Sequence, residues 1–123
     1  MTNIESIFAP KPIWPYSQWI LIRKTLYSSW QIGIKAEDMK LEEWIEKQTE
    51  RVCKNLWEVL KEAWMEFKNV IKTTIYLTDI NNFDKVNEIY SKYFSHKPAR
   101  STIEVKGLPA WALIEIELIA KFS

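Results

Sequence analysis

Glycine is scarce in this chain. Its 123 residues include only Gly33 and Gly107, where an average composition would supply roughly eight glycines. This scarcity excludes a glycine-rich phosphate-binding loop. In contrast, tryptophan is abundant, at positions 14, 19, 30, 44, 57, 64 and 111. Several of these positions resemble turns, where glycine would permit a positive φ. The sequence therefore predicts a scaffold whose tight turns or clefts are filled by large rings.

Cysteine and histidine are almost absent, which limits the possible chemistry. Cys53 is the single cysteine, so no internal disulfide can form. Its helical context favours a small buried hydrophobe over a nucleophile. The one histidine, His96, has no cysteine or second histidine nearby, so we expect no metal site. Ser17, Ser28 and Ser29 lack a usable histidine base, which disfavours a serine triad.

No excess of either charge is present. Lys and Arg total 17 and Asp and Glu total 16, for a net charge of +1. A nucleic-acid site needs a basic patch, so we expect no nucleic-acid partner. The charged stretch 40–54 mixes signs, as a solvated helix face does. No apolar run approaches the ~20 residues of a membrane span, and no signal peptide is visible. We therefore expect no membrane contact and a cytoplasmic location.

The hydrophobic pattern predicts one α+β domain over residues 1–123. Strands are predicted at 19–22, 25–34, 70–77, 101–105 and 113–120. The three prolines of segment 6–15 predict an extended chain there. A helix is predicted over 41–67 from its apolar stripe, and a second between a cap at Asp79 or Asn81 and Pro98. This order favours two helices packed on one face of a single sheet.

Several segments together resemble the RidA/YjgF family. They are 11–18 (KPIWPYSQ), 27–32 (YSSWQI), 72–79 (KTTIYLTD), 86–90 (VNEIY, with Tyr93 and Phe94), 97–102 (KPARST) and 113–117 (LIEIE). They span nearly the whole chain, in order and with matching spacing. The resemblance implies a chorismate-mutase-like fold that forms a homotrimer.

The resemblance also implies an activity and a set of site residues. Family members hydrolyse 2-imino acids, such as 2-iminobutanoate and 2-iminopropanoate, to 2-keto acids and ammonia, without cofactor or metal, in clefts between subunits. By position, Arg100 would hold the substrate carboxylate and Glu115 would direct the attacking water. Tyr16, Ser29 and Asn87 would line the cleft. Without the family context, each of these residues would be read as an ordinary surface or packing residue.

The chain departs from the family pattern at several tryptophans. Trp14 and Trp30 stand where the family shows glycine, in Gly-Pro-Tyr and Ser-Gly-Gln. Trp64 stands near a glycine that follows the first helix, and Trp111 near a small or polar residue. We expect Trp14, Trp30 and Trp111 to fill the cleft and make the deaminase weak or inactive. Trp64 should remove the left-handed helix end, so that the loop 65–68 is rebuilt or the helix runs on.

The remaining tryptophans allow other interpretations. Trp57 and Trp64 form a second helical stripe, which is either ordinary packing or an exposed interface patch. Trp19 and Trp111 could overfill a trimer interface. Replacement of several glycine-type positions indicates an engineered variant, with a divergent natural protein as the alternative. An engineered building block could join through tryptophans into a trimer or a larger assembly. A third hypothesis is a binder of apolar ligands in the cleft.

Overall fold

Seven strands and two α-helices form the part of the chain that the computed structural model describes, which is residues 2–4 and 6–123. The strands are β1 (Thr2–Ile4), β2 (Trp19–Ile22), β3 (Thr25–Ser28), β4 (Gln31–Ile32), β5 (Val70–Leu77), β6 (Ala99–Glu104) and β7 (Ile114–Lys121). The helices are α1 (Ile45–Glu62) and α2 (Phe83–Tyr93). None of the helices in these residues combines the length and apolarity needed to cross a bilayer.

All seven strands belong to one mixed sheet. Its order is β1-β2-β3-β7-β5-β6, and the short β4 also pairs with β7. Only the β5–β6 pair is parallel, because the crossover through α2 returns the chain in the same direction. The predicted α+β class, with a single sheet and two helices, is confirmed.

The helices cover one face of the sheet because the apolar residues of both layers are in phase. In α1 the buried residues Val52, Leu56, Val59 and Leu60 recur at helical spacing, which gives one apolar face. In β5 and β7 every second residue is buried against the helices, namely Thr73, Ile75, Leu77, Ile114, Ile116, Leu118 and Ala120. The alternate residues lie on the opposite face, among them Lys72, Thr74, Tyr76, Glu115 and Glu117.

The first helix is shorter than predicted, and its end corrects the expectation for Trp64. Trp64 has φ 61°, so the left-handed helix end is kept. The Trp64 N–H donates to the Lys61 carbonyl at 3.0 Å, and the Met65 N–H donates to the Leu60 carbonyl at 2.9 Å. These two bonds are a Schellman motif, which satisfies the last carbonyls of the helix. The prediction that the loop is rebuilt or the helix runs on is therefore wrong.

The predicted strand 25–34 is interrupted between β3 and β4. Tyr27 pairs with Ile119 and Gln31 pairs with Ile116. The chain therefore advances four residues from Tyr27 to Gln31 while β7 advances only three. One extra residue is a bulge, which leaves the ladder locally unpaired and turns side chains out of it. Trp30 lies in this interruption.

Trp19 and Cys53 are both buried in the core. Trp19 is only 1% exposed, so the expectation that it overfills a subunit interface is wrong. Its indole N–H has no hydrogen-bond partner among the described residues. Cys53 is fully buried, as predicted, and burial raises the pKa of its thiol. The thiol therefore stays protonated and unreactive.

The two glycines make a matched test of packing. A Cβ at Gly33 would lie 2.7 Å from the Gln48 Cα, whereas a Cβ at Gly107 would meet nothing within 4 Å. We expect Gly33→Ala to lower the free energy of unfolding by about 1–3 kcal/mol through overpacking. Gly107→Ala should be neutral or stabilising by about 0.4–1 kcal/mol. Urea unfolding measures both, and equal effects would contradict the packing argument.

Candidate active site

A cleft whose lining includes three aromatic rings and two prolines lies beside the bulge. Its volume is ≈ 440 Å³, which includes space open to solvent. We call it the aromatic cleft. Its lining residues are Pro10, Lys11, Pro12, Ile13, Trp14, Tyr16, Trp30, Gln31, Ile32, Ile34, Met39 and Ala110. The half-buried Trp30 ring is central, with its centroid 6.0 Å from that of Trp14 and 5.6 Å from that of Tyr16.

Gln18 holds the proline-rich wall of the aromatic cleft in place. This side chain is fully buried. Its Oε1 accepts the Ser6 N–H at 2.6 Å, and its Nε2 donates to the carbonyls of Ser6, Ala9 and Pro10. A proline-rich segment offers few N–H groups to a sheet, so one amide side chain provides its anchor. This role could not be predicted from the sequence, because a lone glutamine carries no local signal for it.

Gln48 and Asn55 connect α1 to the same region. The Gln48 Oε1 accepts the Leu113 N–H at 2.8 Å, and its Nε2 donates to the Glu42 carbonyl at 3.0 Å. Asn55 donates to the Ile32 carbonyl at 3.2 Å and to the Ile34 carbonyl at 2.9 Å. Both side chains are buried on a helix, and together they fix β4 and the start of β7 against that helix.

Glu115 is a buried carboxyl group beside the aromatic cleft. It lies in β7, paired with Ile32 of the aromatic cleft, and is 9% exposed. Burial, and then the neighbouring Glu117, raise its pKa to about 7. Burial and the proximity of Glu115 also raise the pKa of the Tyr16 hydroxyl. Tyr16 and Glu115, two of the predicted site residues, thus lie near enough for the charge of one to act on the other.

The neighbouring carboxyl group, Glu117, is tied to the sheet. Tyr76 of β5 donates its hydroxyl to Glu117 Oε1 at 2.7 Å. This bond to Glu117 is the main reason that the pKa of Tyr76 is raised to about 12. Glu115 and Glu117 are two residues apart in one strand, so both face the sheet side away from the helices. A carboxyl group that titrates near neutrality can exchange a proton in either direction at physiological pH.

Arg100 lies on the other face of the sheet. It pairs with Thr73 in the β5–β6 ladder, and Thr73 shares a 2.7 Å hydrogen bond with Tyr90 of α2. The Arg100 Cζ is 4.9 Å from the Tyr90 ring centroid and 5.4 Å from that of Phe83. Asn87 lines the same groove. A guanidinium group over aromatic faces is held by cation–π attraction and keeps its donors available for an anion.

The predicted site residues therefore form two separate halves. Glu115 pairs with Tyr76 and Arg100 pairs with Thr73, three residues away along β5. An odd spacing along a strand places side chains on opposite faces. One small ligand cannot touch Arg100 and Glu115 of the same chain directly through the sheet.

The other predicted site residues are placed differently. Ser29 lines neither half: its N–H donates to the Gln18 carbonyl at 2.8 Å and its hydroxyl bonds to the Ser17 carbonyl. Trp111 is 91% exposed and fills no cleft of the single chain.

Trp57 is half-buried and stacks on Phe67 with centroids 5.5 Å apart, so it packs and is no part of an exposed stripe. Only Trp64 of that pair is exposed, at 91%. In the described part of the chain, no group of three or more His, Cys, Asp or Glu side chains is placed to hold a metal ion.

Comparisons with known proteins show which family the chain is similar to. The model of the family described as Endoribonuclease L-PSP matches residues 6–122. A RutC family protein from Aquifex aeolicus is 45% identical over 123 residues, which is 98% of each chain. The 2-iminobutanoate/2-iminopropanoate deaminase of Homo sapiens is 44% identical over 95% of this chain and 87% of its own length. The crystal structure of RidA from an Antarctic Psychrobacter species is 32% identical, with a TM-score of 0.97 over 99% of this chain and 100% of that one.

Proposed function

The chain belongs to the RidA/YjgF family, and from that premise we propose that it catalyses the hydrolysis of small 2-imino acids to 2-keto acids and ammonia. The observation that carries the proposal is Glu115, a buried carboxyl group with a pKa of about 7 beside Tyr16. The named activity of a relative that is 44% identical supports the choice of substrate. We also propose a cytoplasmic location, as expected from the sequence.

In this mechanism Glu115 moves the protons. Its carboxylate takes a proton from water as the water oxygen bonds to the carbon of the protonated imine, which gives a carbinolamine. The carboxyl group then gives this proton to the carbinolamine nitrogen. As the C–N bond breaks and ammonia leaves, the carboxylate takes the hydroxyl proton, so that the C=O bond of the 2-keto acid forms, and it later releases this proton to solvent. A carboxyl group with a pKa near the working pH suits both steps, since it is a competent base and acid.

Arg100 would hold the substrate carboxylate. A guanidinium group pairs bidentately with a planar carboxylate. Because Arg100 and Glu115 lie on opposite faces of one chain, we propose that Arg100 and Asn87 of one subunit complete a site with Tyr16 and Glu115 of a neighbour. The homotrimer implied by the family provides such a neighbour. Ser29 would hold the backbone beside Tyr16 in place, because its hydroxyl bonds to the Ser17 carbonyl and its N–H donates to the Gln18 carbonyl.

Trp14 and Trp30 should reduce this activity, because their rings narrow the aromatic cleft next to Tyr16. We expect the chain to release ammonia from 2-iminobutanoate slowly, and the double variant Trp14→Gly/Trp30→Gly to release it at least tenfold faster. The assay follows disappearance of imine generated in place, with Arg100→Ala in each background as the control. Fast turnover by the unsubstituted chain that is lost in Arg100→Ala would contradict the proposed obstruction. Equal rates with and without Arg100 would contradict the proposed function.

A second candidate function is assembly through tryptophan, supported by the exposure of Trp64. An exposed ring can anchor a protein interface. We expect a trimer in solution whose mass is unchanged by Trp64→Lys, since Trp57 packs internally and leaves Trp64 without an aromatic neighbour on α1. Light scattering or native mass measurement distinguishes a trimer from a larger assembly. An assembly larger than three chains that Trp64→Lys dissociates would favour the assembly function instead.

A further inference from the structure

Two tryptophans occupy backbone conformations that favour glycine. Trp64 has φ 61° and Trp111 has φ 62°, directly after Ala110 at φ 57°. Left-handed backbone costs an ordinary residue roughly 1–2 kcal/mol. Both side chains are 91% exposed, so neither ring recovers that cost through burial. Trp64 also stands at the residue of the Schellman motif where glycine is usual.

Trp44 is a third tryptophan at a position where glycine performs better. It is the N-cap of α1, and its side chain makes no capping hydrogen bond. N-caps favour Ser, Thr, Asp, Asn and Gly, and the Trp44 ring is 58% exposed. The buried Trp19 also leaves its indole N–H without a partner in the described residues. Four of the seven tryptophans, at positions 19, 44, 64 and 111, therefore fit their positions poorly.

The composition shows the complementary deficit. The chain has two glycines and seven tryptophans, and together they number nine, close to the eight or nine glycines (about 7%) of an average chain this long. Neither Gly33 nor Gly107 has a positive φ. In the described part of the chain, every left-handed position is thus held by another residue, namely Arg23, Met39, Trp64, Lys97, Ala110 or Trp111.

We infer that the protein made in its own cell carries glycine at Trp64, at Trp111 and at the other tryptophans encoded by the same triplet, because the gene uses UGA as a glycine codon. UGA is a stop codon in the standard genetic code, but variant codes read it as tryptophan or as glycine. A gene written for the glycine code and translated with the tryptophan code gains one tryptophan for each glycine lost. No other residue changes, which accounts for the otherwise well-formed core and Schellman motif.

The inference changes the candidate site, and this consequence alone rests on the proposed function. If Trp14 and Trp30 are encoded by UGA, the protein carries glycine at both positions and the central rings of the aromatic cleft are absent. Tyr16 would then line a wider aromatic cleft that a small 2-imino acid can enter. The residues at 14 and 30 thus determine how open the cleft is beside Tyr16.

The test combines the gene sequence with the mass of the native protein. We expect UGA at codons 64 and 111, and an intact mass that is lower than that of the chain with all seven tryptophans by one tryptophan-to-glycine difference for every UGA. Peptide sequencing across residues 61–68 should show glycine at 64. A UGG triplet at codon 64 or 111 would overturn the inference, and so would UGA triplets in a protein with the full tryptophan mass. Neither readout involves catalysis, so failure of the imine assay would leave this result unaffected.

Discussion

Replacing Trp64 and Trp111 with glycine is expected to raise the free energy of unfolding by about 1–2 kcal/mol for the double variant. Each substitution removes a left-handed penalty of about 1–2 kcal/mol. Part of that gain is offset by the extra backbone entropy of glycine in the unfolded chain, about 0.5–1 kcal/mol. The rings contribute little packing because both are 91% exposed. Thermal unfolding should show a rise of several degrees, since about 1 kcal/mol corresponds to roughly 4–8 °C in a domain somewhat smaller than this one.

Alanine at the same two positions is the matched control. Trp64→Ala and Trp111→Ala remove the rings but keep a Cβ, and with it the cost of φ near 60°. We expect both to change the free energy of unfolding by less than about 0.5 kcal/mol, as exposed surface substitutions usually do. If alanine stabilised as much as glycine, the gain would come from losing the ring, and the backbone argument would fail.

Replacing Glu115 with glutamine should have opposite effects on activity and on stability. Glutamine keeps the shape but cannot accept the proton of water, so we expect imine hydrolysis to fall by about 10²–10⁴-fold, the usual contribution of a positioned general base. The assay is best performed in the Trp14→Gly/Trp30→Gly background, where the expected rate is high enough to measure such a loss. Unchanged turnover in Glu115→Gln would remove Glu115 from the mechanism.

The stability effect of Glu115→Gln should depend on pH. The pKa of Glu115 is raised from 4.5 to about 7 in the folded chain, so the folded state binds this proton more tightly than the unfolded state does. The contribution of this carboxyl group to the free energy of unfolding is therefore fully present below pH 4.5. It is lost as the pH rises from 4.5 to about 7. Glu115→Gln avoids that loss and should be more stable by up to about 3 kcal/mol above pH 7. Below pH 4.5 the two chains should unfold alike.

Glu117→Gln is the control for the electrostatic part of this effect. The neighbouring Glu117 is the second cause of the raised pKa of Glu115, after burial. Removing its charge should lower that pKa without returning it to 4.5, so the pH at which stability is lost should move down. NMR titration of the Glu115 carboxyl carbon measures the shift directly. A pKa that stays near 7 would show that burial alone sets it.

The sequence by itself determined the family, the fold class and the bounds of two strands. β2 and β5 occupy the residues predicted for them, because apolar and β-branched runs are local features. The buried face of α1 follows from its spacing for the same reason. The roles proposed for Arg100 and Glu115 come from the sequence only through resemblance to a family. Such signals need no knowledge of which strands pair.

Only the tertiary structure decided how these parts meet. The bulge at Ser29 and Trp30 results from the pairing of β3 and β4 with the distant β7, and the anchoring role of Gln18 depends on where the 6–10 segment returns. The separation of Arg100 from Glu115 follows from their register with β5, which no local pattern encodes. The left-handed φ of Trp64 is likewise imposed by the surrounding fold against the preference of the residue. Contacts between remote segments set all four features. The hydrophobic periodicity of the sequence could not predict them, because it describes only residues that are neighbours along the chain.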